Sequence, residues 1–279
     1  MRTTAQLDIG TSQRVTLSTD TGPIAGLRAG RDGDPAVLLV PGYTGSKEDF
    51  GPLLDPLANA GLCATAIDLP GQFESPGPDD PAAYSVDALG ATVLAVAQGL
   101  GGPVRLVGHS FGGLVSRSAV ITQPAVFDSL VLLCSGPGAL GGLRAERMQY
   151  MEPILAEGGM AGVYEAIKAV ATTESGYVPP SPDLGAFLER RFLASSPAML
   201  RGMGDALLGA ADRVDELAAT GLRLLVMYGV DDDAWTPAVQ RIMAERLVAT
   251  SVAIDSAAHS PAVEQPAATV AALLAFWAS

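Results

Sequence analysis

The stretch Gly108-His109-Ser110-Phe111-Gly112-Gly113 constrains this chain more than any other. An apolar run rich in valine, 104–107, precedes it, and a helix-like segment, 114–123, follows it. A serine between two glycines, at the joint of a strand and a helix, is the context of a nucleophile elbow. The turn leaves no room for side chains at Gly108 and Gly112, so it presents the Ser110 hydroxyl on a strained backbone. A Gly-rich turn without chemistry fits the same six residues, since short motifs also arise by chance. The two readings separate on whether the chain supplies a base and an acid to serve the hydroxyl.

Such a turn belongs in a parallel α/β sheet, and the rest of the chain has that pattern. Residues 13–19 alternate in polarity, with 24–28 as a hairpin partner. Residues 36–40 are continuously apolar, as expected of a strand buried on both faces. Further strands are predicted at 62–67, 104–107, 130–134, 222–228 and 251–254. Helices are predicted from Ser46, with Asp49 as capping-box partner, and at 86–100, 114–123, from Thr236-Pro237, and 261–277. This alternation predicts an α/β fold with an open, mostly parallel central sheet, right-handed crossovers and flanking helices.

The rhythm breaks between about 136 and 213, where helix-like segments 144–156, 160–171, 183–194 and 197–208 replace strands. Ser196-Pro197 is a helix start of the N-cap-plus-proline type. The expected organisation is a core, 1–136, a helical cap insertion, 137–213, and a second part of the core, 214–279.

Composition narrows the partners. With 48% hydrophobic and 17% charged residues in 279, the chain is a folded one with ample length for a core. A net charge of −13 argues against nucleic acid and anionic membranes, because no basic patch exists to displace counterions. Cys63 and Cys134 lie inside predicted strands and are expected to be buried, reduced thiols. With no C-x-x-C or Cys/His cluster, no metal is expected. The first residues lack the apolar core of a signal peptide and no uncharged run spans a bilayer, so a cytoplasmic protein is expected. Gly42 to Lys47 fails the phosphate-loop spacing, and Gly99–Gly102 precedes a strand instead of following one, so no nucleotide cofactor is expected. The expected partner is a small-molecule substrate.

A serine hydroxyl needs an adjacent base, and the chain holds two histidines. His109 shares the tight turn with Ser110, must point elsewhere, and reads as a packed scaffold residue. His259, between the last strand and the last helix, reads as the base. The base needs a carboxylate partner. Asp231, Asp232 and Asp233 share the loop after strand 222–228, and the order serine, aspartate, histidine is that of an α/β-hydrolase triad. The segment Cys134-Ser135-Gly136-Pro137 offers no acid, so one of these three aspartates is expected to serve.

On these residues the chain resembles the α/β-hydrolase superfamily over nearly its whole length, in its branch of serine esterases and cofactor-free haloperoxidases with a helical cap. The resemblance implies the α/β-hydrolase fold and places the acid three residues after Gly229, at Asp232. It implies an oxyanion hole built from the Phe111 N–H and the Tyr43 N–H, the latter in a loop where Pro41 replaces a histidine common in the family. Asp68 to Ser75 resembles the family's Asp-x-x-Gly-x-x-x-Ser loop, with a structural role. No cofactor is implied. The implied reaction is hydrolysis of a carboxylic ester through an acyl-enzyme on Ser110. C–C bond hydrolysis, thioester hydrolysis, acyl transfer and perhydrolysis use the same residues. Haloalkane dehalogenase and epoxide hydrolase chemistry is disfavoured, because there an aspartate stands in place of Ser110. A non-catalytic receptor on the same fold is the rival from another class.

Met148, Met151, Met160, Met199 and Met203 fall in the insertion with Tyr150, Tyr164, Tyr177, Phe187 and Phe192. Most are expected to be stripes of helices packing on the core. Met148, Met151 and Tyr164, with Trp235, are expected to line an apolar pocket over Ser110 suited to a small-to-medium hydrophobic substrate.

Overall fold

Eight strands hydrogen-bond into one sheet: β1 (Gln13–Thr19), β2 (Gly22–Ala29), β3 (Ala36–Val40), β4 (Cys63–Ile67), β5 (Val104–His109), β6 (Phe127–Leu133), β7 (Arg223–Gly229) and β8 (Thr250–Ile254). The spatial order is β1-β2-β4-β3-β5-β6-β7-β8, with β1 and β2 antiparallel to their neighbours and the other pairs parallel. The structure is a computed structural model and describes residues 5–173 and 177–279. Every residue of β3 and β4 is buried, as continuous apolar runs require, whereas edge strand β1 contains no fully buried residue.

Helices cover the sheet in two groups. α1 (Gly51–Asn59) packs with α9 (Pro261–Glu264) and α10 (Pro266–Ala278). α2 (Val86–Leu100) packs with α3 (Phe111–Thr122), followed by α7 (Val214–Ala218) and α8 (Pro237–Arg246). The helix expected over 261–277 is thus two. Gln265 takes φ −139° and ψ 61° because Pro266 bars the residue before it from the helical region. The helix expected from Ser46 begins as a 3-10 turn, Lys47–Phe50, with the Ser46 N–H donating to Asp49 Oδ2 at 3.2 Å. α3 starts at Phe111, three residues earlier than expected, immediately after the serine turn.

Between β6 and β7 stand α4 (Gly142–Thr172), α5 (Pro182–Ala194) and α6 (Pro197–Leu208). α4 covers both segments expected there and breaks at Gly159, whose φ of 59° and ψ of −161° leave the helical region. Ser181 and Ser196 cap α5 and α6 by accepting the Leu184 and Met199 N–H groups. Leu155, Met160, Val163, Phe192 and Leu200 form a small cluster separate from the main core. The two ends of the segment are tied together. The Ala139 N–H donates to the Ala210 carbonyl at 2.8 Å, and buried Arg117 of α3 donates to the carbonyls of Pro137 and Ala211. Burial pushes the Arg117 guanidinium down to about 10, against the pull of the Asp212 charge. Among the described residues, no helix is long and apolar enough to cross a membrane.

Candidate active site

The strand order reverses between β3 and β5, and Ser110 sits at the carboxyl end of β5 at that switch point, where open α/β sheets bind ligands. Ser110 has φ 54° and ψ −122°, a conformation that costs a non-glycine residue about 1–3 kcal/mol. Neighbouring backbone holds it there: its N–H donates to the Leu133 carbonyl at 2.8 Å, and its carbonyl accepts the Gly113 N–H at 2.9 Å. A Cβ at Gly108 would lie 2.5 Å from the Gly112 carbonyl oxygen, and one at Gly112 2.3 Å from that of Pro41. The turn closes with glycine at both places.

Ser110 Oγ lies 3.0 Å from His259 Nε2, and His259 Nδ1 lies 2.9 Å from Asp232 Oδ1. A carboxylate only accepts, so Nδ1 carries the proton and Nε2 is left to accept the serine hydroxyl. Asp232 Oδ1 also accepts the Ala234 N–H at 2.9 Å, and Oδ2 accepts Gln240 Nε2 at 2.8 Å. Burial alone would raise the Asp232 carboxyl. The hydrogen bond and charge of His259, with Ala234 and Gln240, outweigh burial and hold it below the ordinary aspartate value. Asp232 is the one of the three aspartates brought to His259. Asp233 instead forms a forked pair with Arg144 of α4, at 2.6 and 3.0 Å.

The His259 loop is fastened from both sides. Glu264 Oε2 accepts the Ala258 N–H at 2.6 Å, and His109 Nε2 donates to the His259 carbonyl at 2.7 Å. His109 is therefore a scaffold residue, as expected, but one that grips the histidine loop. Burial, and then the charge of nearby His259, push His109 down to about 4, so its ring is neutral near neutral pH.

The loop after β3 reaches Ser110 through Gly42, where a Cβ would stand 3.1 Å from the serine Cβ. Buried Gln72 clamps this loop, donating through Nε2 to the Gly42 carbonyl at 2.7 Å and the Tyr43 carbonyl at 3.1 Å. The Gly42 carbonyl and the Tyr43 N–H belong to one trans peptide unit and point in opposite directions. Holding the carbonyl thus aims the N–H away from Gln72. Neither the Tyr43 nor the Phe111 N–H has an acceptor among the described residues. The base of the loop is tied by Lys47, whose N–H and Nζ both reach Asp68 at 2.7 Å. Burial pushes the Asp68 carboxyl up to about 6 against the pull of Lys47. The Asp68–Ser75 loop was expected to be structural. Its polar pattern gave no sign that Gln72 would be the residue touching Gly42.

A chamber of about 590 Å³ opens above Ser110 and His259. Its walls carry Asp49, Arg144, Arg147, Arg191, Asp233 and Glu264. The apolar pocket expected over Ser110 is therefore not there. Arg144, Arg147, Met148 and Met151 follow helical spacing on one face of α4, so the arginines arrive with the methionines. Met148 lines this chamber, while Met151 lines a second, more apolar cavity of about 260 Å³ with Met148, Tyr43 and Leu200. Trp235 and Tyr164 line neither. Trp235 packs against Gly136, where a Cβ would meet its indole at 2.1 Å, and Tyr164 stacks on Phe192 with ring centroids 5.6 Å apart. Met160, Met199 and Met203 are buried in packing. Cys63 and Cys134 are buried and unpaired. The fold does bring Cys134 within 4.8 Å of the ligating atoms of Asp232 and His259, a grouping invisible in the sequence.

Known proteins resemble this chain in sequence and in fold. The chain is 29% identical over 210 residues to the pimeloyl-(acyl-carrier protein) methyl ester esterase of Aeromonas salmonicida (strain A449), covering 72% of this chain and 79% of that one. It is 26% identical over 186 residues to 3-oxoadipate enol-lactonase 2 of Acinetobacter baylyi, covering 66% and 68% of the two chains. A carboxylesterase structure from Nitrososphaera gargenis superposes with a TM-score of 0.80 at 19% identity, over 95% of this chain and 98% of that one, which shows a shared fold. The sheet order, the serine turn at its switch point and a match of residues 37–273 to the model of the alpha/beta hydrolase family lead to one assignment: the chain belongs to that family.

Proposed function

We propose that the chain is a serine hydrolase that cleaves a carboxylic ester through an acyl-enzyme on Ser110. The observation that carries this reading is the continuous line from Ser110 Oγ to His259 to Asp232, at 3.0 and 2.9 Å, on a strained turn at the sheet's switch point. Ser110 Oγ attacks the ester carbonyl while His259 Nε2 takes its proton. Asp232 keeps the proton on Nδ1 and balances the imidazolium. The tetrahedral oxyanion is held by the Tyr43 and Phe111 N–H groups, of which the first is aimed by Gln72. Collapse breaks the bond to the alcohol oxygen, which leaves with the proton from Nε2. Water then gives its proton to His259, attacks the acyl carbon and frees the carboxylic acid and Ser110. Helices α4–α6 act as a cap on a small-molecule site. Relatives named as ester and lactone hydrolases support this class.

A fluorophosphonate probe tests the reading. Intact-mass measurement is expected to find one adduct on the native protein, and none on Ser110→Ala or His259→Ala. Folded native protein that takes no label overturns it.

A further inference from the structure

The smaller cavity has a composition unlike that of the chamber. Met151, Val163, Ile167, Val170 and Leu200 wall it, and it meets the chamber at Tyr43, Thr44, Arg147 and Met148. Its position relative to the reacting atoms decides what it can hold. The alcohol must leave beside His259 Nε2, which gives it a proton, and the chamber walls there are Ala258, His259, Ser260 and Glu264. None of those four touches the small cavity, which opens instead on the side of the Tyr43 loop. A chain entering it is therefore attached to the carbonyl and not to the alcohol. At the threshold, the Tyr43 hydroxyl donates to the Leu200 carbonyl of α6 at 2.5 Å. Gly204 passes so close that a Cβ there would stand 2.9 Å from that hydroxyl.

We infer that this cavity is the acyl-chain subsite, reached past Tyr43 and Met148, and that the substrate is an ester of a linear aliphatic acid with a polar alcohol part. The inference rests on the reading of Ser110 as nucleophile. At about 30 Å³ for each water-sized group, the 260 Å³ holds about eight carbons of chain. The polar part stays in the chamber among Arg144, Asp233 and Glu264, where charged walls keep their hydration and ion pairs. Burial of each further methylene contributes about fourfold to kcat/KM until the cavity is full.

The test is a chain-length series of p-nitrophenyl esters on the native protein and on Ala171→Trp and Val170→Trp, two substitutions that fill the cavity from the last turn of α4. In the native protein kcat/KM is expected to rise from acetate to octanoate and to stop rising at dodecanoate. Filling is expected to lower the octanoate value tenfold or more and to leave acetate within twofold. Binding of octanoate to Ser110→Ala, followed by calorimetry, reads the cavity without turnover and is expected to disappear when either filling substitution is added. An octanoate preference that survives filling, or octanoate binding indifferent to it, overturns the inference. If octanoate binding depends on residues 170 and 171 while no ester turns over and no fluorophosphonate adduct forms, the cavity is an aliphatic-chain site but the hydrolase reading fails, and the assignment to the acyl part of an ester is overturned with it.

Discussion

The turn at Ser110 and the helices above it are held by different kinds of contact. Around Ser110 the fastenings are buried and largely involve backbone: the Leu133 carbonyl, the close approach of Gly112 to Pro41, and Gln72 on the Gly42 carbonyl. Across the chamber, α4 meets the loop after β7 through the side-chain pair Arg144–Asp233, 35% and 62% exposed, while the less exposed pair Arg191–Asp49 joins α5 to the turn after β3. Buried bonds fix atoms to fractions of an ångström, whereas exposed ion pairs are weak and screened by salt. Under the proposed function, the lower layer sets chemistry and the upper layer sets what fits. Substitutions below are expected to act on kcat, and those above on the choice of substrate.

The sharpest way to break this comparison lies in one loop. Asp232 faces down to His259 with its carboxylate fully buried, and Asp233 faces up to Arg144. Asp232→Asn keeps the shape but no longer holds the proton on His259 Nδ1, and kcat for a p-nitrophenyl ester is expected to fall by about 10⁴. Asp233→Asn removes one partner of an exposed pair worth about 0–1 kcal/mol, and kcat is expected to stay near its native value. Equal losses from the two substitutions would mean that the layers do not differ.

A smaller effect is expected one step back from the reacting atoms. Gln72→Leu removes the grip on the Gly42 carbonyl, freeing the peptide that carries the Tyr43 N–H. A misplacement near 1 Å costs about 100-fold in rate, so kcat is expected to fall between about 10-fold and 100-fold with KM little changed. Circular dichroism and the thermal midpoint establish that the variant is folded. A folded variant with native kcat would show that the Tyr43 N–H is aimed by something other than Gln72.

The same division explains what could be read in the sequence. The strands 36–40 and 104–107, the serine turn and His259 were legible because local rules produce them: runs of mostly apolar residues, glycines at a tight turn, and a chain with two histidines. The loop alone left three aspartates open; the family resemblance placed the acid at Asp232, and the structure brings that residue to His259. Gln72, Gln240 and the grip of His109 on the His259 carbonyl were not legible, because each joins residues distant in sequence. The chamber was misread for a related reason. Counting methionines in the insertion located an apolar face, but the phase of α4 puts Arg144 and Arg147 on that face too. Trp235 went under its loop because Gly136 leaves a space that the indole fills.

His109 belongs to the lower layer by position and to the chamber by exposure, and pH separates the two roles with the smallest effect. Its ring is held down to about 4 by burial, against an ordinary value of 6.5. Between those values the unfolded chain binds a proton that the folded chain refuses, so this group's contribution to stability is complete above pH 6.5 and declines as pH falls toward 4. Asp68, pushed up to about 6 by burial, works in the opposite direction over an overlapping range: its folded form binds the extra proton, and stability falls as pH rises through that range. The difference between native protein and His109→Gln cancels Asp68, which both contain. Glutamine keeps a donor for the His259 carbonyl without a titrating ring. In urea unfolding from pH 7.5 to 5, the stability of His109→Gln relative to the native protein is expected to improve as pH falls, by up to about 1.4 kcal/mol per pH unit below 6.5. A difference that stays constant across the range would mean that His109 titrates at its ordinary value, as a ring facing the chamber and its water would, and not as part of the buried layer.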